Sequence, residues 1–178
     1  MTSSVLEGTG ETATFEEELV TRIGRLRAAV DARGSLVRLE FQGPASGTAT
    51  PAKAAGSPCE DVRRQLAEYF EGQRTSFDLP LAPAGTVFQR RVWEELVRIP
   101  FGERLTYGEL ARRLGRPAAF RAVGAANGAN PIAIVIPCHR VVGSDGSLTG
   151  YGGGLPLKRW LLDHEGGRRK AEGGRRTR

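Results

Sequence analysis

Glycine and proline punctuate the second half of the chain more sharply than the first, and they mark where its helices are expected to begin and end. Among 178 residues there are 24 glycines and 10 prolines, and Pro100, Gly115, Pro117, Gly128 and Pro131 fall between stretches of apolar periodicity. Proline removes a backbone donor and glycine releases the backbone, so these positions mark ends and turns. A helix is expected over 86–99, with Thr86 as N-cap, Val92, Leu96 and Ile99 in register, and Pro100 as its stop. A second is expected over 106–114, where Thr106 and Glu109 have the spacing of a capping box. A third is expected over 118–126, ending near Asn127 and Gly128. Two short helices joined by a Gly-containing turn match a helix-turn-helix, although many helical hairpins in enzymes bind no DNA. A final helix is expected over 155–164, with Pro156 suited to an early helical position.

The first half is less sharply divided. The first ten residues read as disordered. Phe15, Leu19, Ile23, Leu26 and Val30 recur every three or four residues, which predicts a helix over 14–32. Residues 35–41 alternate like a half-buried strand. Residues 43–58 are rich in Gly, Pro, Ala, Ser and Thr and read as a flexible loop. Val62, Leu66, Tyr69 and Phe70 predict a second helix ended by Gly72, and residues 77–81 a short strand. Residues 80–85 then make a plausible linker. The expected organisation is an α+β chain: a small α/β N-terminal domain over 1–82, a mainly α domain over 85–166, and a basic, disordered tail over 167–178.

The net charge of +6 lies mostly toward the C-terminus. Residues 1–84 carry 9 basic and 12 acidic side chains, residues 85–166 carry 11 and 7, and residues 167–178 carry 6 and 1. A basic tail is often only a solubilising end, so the excess on the second half is the more useful hint of a nucleic-acid partner. No stretch has the apolar length of a membrane span, and the start lacks the pattern of a secretory signal. Two cysteines far apart, Cys59 and Cys138, fit a cytoplasmic chain with free thiols better than a disulfide. With only two histidines and no ligand spacing, no metal site is expected.

The chemistry concentrates around Cys138. Residues 131–136 form an apolar, β-branched run that predicts a buried strand, and it leads into Pro137-Cys138-His139-Arg140. A cysteine in that setting is often an inert core residue. Three features argue for reactivity: His139 is adjacent, Arg140 adds a positive charge that lowers a thiol pKa, and a glycine-rich loop over 143–154 offers uncovered backbone N–H groups. Neighbouring side chains in an extended segment point apart, so His139 reaches Cys138 only through a helical turn or a bridging water. Spacing does not choose between them. On these residues alone, a thiol hydrolase or a helix-turn-helix regulator fits as well.

Asn130-Pro131, the segment 134–143 and Tyr151-Gly152-Gly153-Gly154 resemble the active-site segment of the O6-alkylguanine-DNA alkyltransferases. Residues 107–111 and 121–127 are similar to that family's helix-turn-helix, and residues 158–162 with Glu165-Gly166 to its closing helix. The motifs stand in the family's order, from about Gly85 to Gly166, and more weakly over 66–80. The resemblance implies a ribonuclease-H-like N-terminal domain and a winged-helix-like C-terminal one.

It also implies a DNA repair reaction: the alkyl group of O6-alkylguanine, and in a second candidate substrate of O4-alkylthymine, passes irreversibly to Cys138 in one turnover. Cys138 is then the nucleophile, His139 its base through a water, Glu165 the group that orients His139, and Asn130 the stabiliser of the hinge. The implied substrate contacts are Tyr107, Val141, Tyr151, Gly152 and Gly153. The implied DNA contacts are Tyr107, Arg116, Arg121 and Ser144, with Arg121 filling the stack after the nucleotide leaves. The partner is double-stranded DNA, met through the minor groove by a monomer, with no cofactor. Alanines 118, 119, 122, 125 and 126 allow close approach there, although alanine is also simply a good helix former. Because Cys138 is present, the related lesion binders that lack the cysteine are the less fitting class. Gly152 stands where relatives often have a small side chain, and Ala133 where some have proline.

Overall fold

Strand β1 (Phe15–Thr21) turns back on β2 (Gly24–Val30), which pairs in turn with β3 (Leu36–Gly43), so the chain opens with an antiparallel meander in the order β1-β2-β3. This computed structural model describes residues 14–43 and 56–173. The helix expected over 14–32 is therefore a hairpin. Leu19 faces Leu26 and Thr21 faces Gly24 across it, and the Thr21 hydroxyl donates to the Gly24 carbonyl at 2.8 Å. Gly24 has φ of 124°, a conformation that a side chain would oppose. The apolar residues that fit a helical period also fit a strand period, since Leu26, Ala28 and Val30 alternate and all are buried.

Helix α1 (Glu60–Glu71) buries Val62, Leu66, Tyr69 and Phe70 on one face, as expected, and ends at Gly72 with φ of 76°. It is tied to β1 by the Arg63–Glu17 ion pair and to the turn after β1 by Arg22, whose Nη1 donates to the Phe70 carbonyl at 3.0 Å. Each large side chain sealed in this way contributes about 1.5–3 kcal/mol.

The free edge of β3 takes two single-residue bridges in place of a fourth strand. Leu36 pairs with Leu81 and Leu39 with Ile132, each through two backbone hydrogen bonds. These bridges cover an edge that would otherwise be open. They also correct two expectations, because residues 77–81 and 131–136 form no continuous strand. After its bridge at Ile132 the chain folds tightly. The Val135 amide donates to the Ala133 carbonyl at 2.8 Å around Ile134, whose φ is 72°. A β-branched residue there is strained, at a cost of about 1–3 kcal/mol.

The chain divides into two compact units. The first holds the residues up to Thr86 together with Pro131–Val135, and the second holds Val87–Asn130 and the chain from Ile136 onward. Residues 131–135, expected within the second domain, fold with the first because Leu39 offers them its backbone.

In the second unit, α2 (Val87–Val97) buries Val92, Trp93 and Leu96. The Trp93 indole donates to the Ala126 carbonyl at 2.9 Å and so fixes α2 to α4 (Phe120–Gly128). Between them lie β4 (Leu105–Thr106), α3 (Tyr107–Arg113) and a 3-10 turn at Pro117–Ala119. The capping box is formed: Glu109 N–H donates to Thr106 Oγ1 at 3.2 Å and Thr106 N–H to Glu109 Oε2 at 2.7 Å. A second 3-10 turn at Cys138–Arg140 leads into β5 (Val141–Val142), which pairs in parallel with β4. The last helix, α5, runs over Leu155–Gly173, well past the expected end near His164. The tail expected to be disordered from 167 is thus helical as far as Gly173, in keeping with its strong helix formers Arg, Lys, Ala and Glu. The expected loop 43–58, apart from Gly43 and residues 56–58, lies outside the described residues, as do the first ten residues and the tail beyond 173. No described helix is long and apolar enough to cross a membrane.

Candidate active site

Cys138 begins its 3-10 turn immediately after a second tight bend. Pro137 has φ of −82° and ψ of 61°, and the Cys138 amide donates back to the Ile136 carbonyl at 2.8 Å, an inverse γ-turn. The expected buried strand would have pointed Cys138 and His139 apart. The helical turn instead places both side chains in the interior, where His139 is 0% and Cys138 7% exposed.

The imidazole is held from one side. His139 Nε2 lies 2.9 Å from Glu165 Oε1, and its other nitrogen, Nδ1, is buried with no hydrogen-bond partner among the described residues. Donation from Nε2 to the carboxylate leaves Nδ1 as the basic atom. Glu165 comes from α5, and it is shared. Arg140 Nε donates to Oε2 at 2.8 Å and Nη2 to Oε1 at 2.9 Å, while the Gly102 amide donates to Oε2 at 3.2 Å. Arg140 Nη1 also donates to the Ile99 carbonyl, so each of its three guanidinium nitrogens has a partner.

This pairing corrects one expectation. Arg140, expected to act on the Cys138 thiol, is paired instead with the Glu165 carboxylate. Burial pushes the Cys138 pKa up, opposed by a hydrogen bond from Asn130 and by the charge of Lys158. Burial likewise pushes His139 down, against the pull of Glu165. Burial would raise the Glu165 carboxyl, yet the hydrogen bonds from His139 and Arg140 outweigh it and hold the group well below the usual carboxylate range. The resting pair is therefore a neutral thiol beside a neutral imidazole and an ionised carboxylate.

Asn130 follows α4 and donates from Nδ2 to the Ile136 carbonyl at 2.8 Å, bracing the bend before Cys138. Asn127 Nδ2 makes a longer contact of 3.5 Å to the Cys138 carbonyl. Of the other residues singled out by sequence, Val141 lies buried in β5 and Tyr151 is half-buried, with its ring edge-on to His139 at 6.4 Å. Gly152 is exposed and Gly153 half-buried in the loop. Tyr107 opens α3, and its hydroxyl accepts from Thr149 at 3.0 Å. Arg116 and Arg121 are exposed on either side of the second helix's start, with guanidinium groups 5.8 Å from the Phe88 ring and 5.5 Å from the Phe120 ring. Ser144 is exposed in the loop that follows β5. The structure thus gathers Cys138, His139, Glu165 and Asn130, and sets Tyr107, Arg116, Arg121 and Ser144 at the surface.

One functional candidate escaped the sequence reading. Lys158 is fully buried, with Nζ donating to the Val141 carbonyl at 2.7 Å and the Thr149 carbonyl at 2.8 Å. Its spacing from Leu161, Leu162 and Glu165 places it on the inward face of α5, and that was the available signal.

The exposed face of α4 carries Arg121, Ala122, Ala125 and Gly128, and Arg112, Arg113 and Arg116 are exposed just before it. A small-residue face flanked by arginines is shaped for close approach to a polyanion.

Residues 87–167 match the family described as 6-O-methylguanine DNA methyltransferase, DNA binding domain, and residues 17–83 match its ribonuclease-like domain. A methylated-DNA–protein-cysteine methyltransferase of Methanosarcina barkeri is 59% identical over 105 residues, which cover 59% of this chain and 66% of that protein. The crystal structure of the Mycobacterium tuberculosis O6-methylguanine methyltransferase has a TM-score of 0.76 at 44% identity, covering 88% of this chain and 94% of its own. A structure of M. tuberculosis OGT in complex with DNA has a TM-score of 0.74 at 47% identity, covering 85% and 92%. With both halves matched in order, the chain belongs to the 6-O-methylguanine-DNA methyltransferase family, the methylated-DNA–protein-cysteine methyltransferases.

Proposed function

We propose that this chain repairs DNA by taking the alkyl group of O6-alkylguanine onto Cys138, once per molecule. The observation that carries the reading is the buried Cys138–His139–Glu165 group, in which the carboxylate engages Nε2 and Nδ1 stays open. A protonated thiol needs a base at the moment of attack, and a neutral buried imidazole is suited to that task. Nδ1 accepts the thiol proton through a water, Glu165 holds the ring, and Asn130 steadies the bend. The sulfur then bonds to the alkyl carbon as the carbon–O6 bond breaks. The electron pair leaves with the guanine, which regains a proton. The product thioether has no route back, so the protein is consumed.

The substrate must leave the duplex to meet a buried sulfur. Extruding a nucleotide costs a few kcal/mol, less when its pairing is already damaged. Arg121, exposed at the start of α4, fills the space, and the small residues along that helix let it sit in the minor groove. Tyr107 acts on the target nucleotide, Arg116 and Ser144 contact the backbone, and Val141, Tyr151, Gly152 and Gly153 line the base. The DNA complex of the M. tuberculosis relative supports DNA as the partner. O4-alkylthymine is a second substrate of the same site. We read residues 85–166 as the DNA-binding and alkyl-acceptor domain, winged-helix-like through its β4–β5 pair, and residues 1–82 as a ribonuclease-H-like domain. The protein works as a monomer in the cytoplasm without a cofactor.

Intact mass measured after mixing with duplex DNA containing O6-methylguanine tests this. The mass rises by one methylene, mapped to Cys138, and stays unchanged in Cys138→Ala. Tight lesion binding without a mass change, or turnover beyond one equivalent, overturns it.

A further inference from the structure

Large apolar side chains left exposed are few among the described residues: Phe15, Val87, Val97, Phe120 and Leu155. A lone exposed apolar residue needs no explanation by itself. The setting of Phe120 does. Its side chain is 47% exposed and it opens α4, the helix that carries the face of small residues. Residues 110–128 around it hold Arg112, Arg113, Arg116 and Arg121, all exposed, and no acidic side chain. The ring therefore stands in a surface whose charge complements a polyanion. An apolar partner seated there would have to strip water from the neighbouring guanidinium groups without pairing them.

The ring is also engaged. The Arg121 guanidinium lies 5.5 Å from its centroid. Stacking of this kind uses the flat face of the guanidinium and leaves its N–H edge for acceptors. Phe120 and Arg121 thus form one unit, an apolar plate with a cationic edge. Its support is rigid, because α4 buries Val123 and Ala126 and is held by the Trp93 indole on the Ala126 carbonyl at 2.9 Å. An aromatic side chain beside a cation, fixed on a rigid element, suits packing against bases in a minor groove.

We propose, on the premise that duplex DNA is the partner, that Phe120 is a DNA-contact residue in its own right. Its ring enters the minor groove next to Arg121 and packs against the bases there. It adds apolar burial to an interface otherwise made by charge and by small residues.

The test is the affinity of the full chain for duplex DNA containing O6-methylguanine, measured over a series of salt concentrations in a Cys138→Ala background so that the lesion survives. Phe120→Ala weakens binding about tenfold at every salt concentration. The slope of log affinity against log salt stays the same, because a neutral ring displaces no counterions. Phe120→Trp restores the affinity. The loss persists when Arg121→Ala is added, where a ring that served only to hold the arginine would have nothing to hold. Unchanged affinity in Phe120→Ala, a changed slope, or a loss that vanishes with Arg121→Ala overturns the inference. Should Phe120→Ala fail to fold, Phe120→Gln is read by the same criteria. If the dependence on Phe120 holds and the chain with Cys138 intact takes no methyl group from the same DNA, the repair reading fails and the inference stands.

Discussion

His139 and Glu165 meet at 2.9 Å with both side chains sealed from solvent, and Arg140 shares the same carboxylate. The sharing has a chemical effect. A carboxylate serving only the imidazole would favour the imidazolium, whereas one already neutralised by a guanidinium orients the ring and leaves it neutral. That is the state a base needs before it accepts a proton.

Glu165→Gln should therefore damage fold and chemistry together. The amide keeps one acceptor for His139 or Arg140 and leaves a buried guanidinium uncompensated. Losing one partner of a buried ion pair costs about 3–5 kcal/mol. Urea unfolding should show a lower midpoint with an unchanged slope, and single-turnover methyl transfer should slow at least tenfold under conditions where the variant is folded.

Acid should destabilise the protein in two steps of the same sign. His139 has its pKa lowered by burial, so the unfolded chain binds a proton more readily below about 6.5. Stability present above that pH is lost as pH falls through that region. Glu165, held low by His139 and Arg140, adds a second loss at and below the usual carboxylate range. Cys138 acts oppositely, and Cys59 with it: burial keeps both protonated, so above the usual thiol range the unfolded chain ionises first and stability falls with rising pH. Melting temperatures across pH 4 to 10 (~6 units spanning these reference values) check this, and Cys138→Ala should flatten only the alkaline limb.

Arg121→Ala should separate DNA handling from sulfur chemistry. The arginine is exposed and stacked near Phe120, with no bond to the Cys138 group. If it fills the vacated stack, its loss should slow transfer from duplex DNA by roughly tenfold to a hundredfold, a few kcal/mol at most. Transfer from the free base O6-benzylguanine should be unaffected. Equal slowing on both substrates would contradict the role.

Trp93→Phe tests the joint between α2 and α4. It removes the donor to the Ala126 carbonyl, made at 2.9 Å, and leaves a buried acceptor unpaired. The cost should be about 1–3 kcal/mol in denaturant unfolding. Methyl transfer at low temperature, where the variant is folded, should be nearly normal.

The second half was far more legible in sequence than the first, for physical reasons. Pro100, the Thr106–Glu109 capping box and Gly115 specify ends locally, and the helices stop near them. Phe15 to Val30 carries a pattern compatible with both periods, and only pairing with β3, a non-local event, selects the hairpin. Residues 131–136 look like a strand because they are apolar and β-branched, but the backbone of Leu39 accepts only Ile132 and the positive φ of Ile134 ends the pairing. At the site, Cys138, His139 and Glu165 were found through motifs. The pairing of Arg140 is not legible in sequence because its partner, Glu165, is distant along the chain, and the burial of Lys158 is not because a lysine on a helix ordinarily faces water.

The many-handed grip on Glu165 also sets when reactivity can arise. Its partners come from the turn at Gly102 and the segment at His139 and Arg140, while the carboxylate itself belongs to the last helix. During synthesis, Cys138 leaves the ribosome before the residue that orients its base. Until α5 docks, the imidazole is unheld, so the half-made chain lacks the oriented base that the proposed reaction needs. On the proposed single-use reaction, that order keeps the chain from spending itself before it is whole.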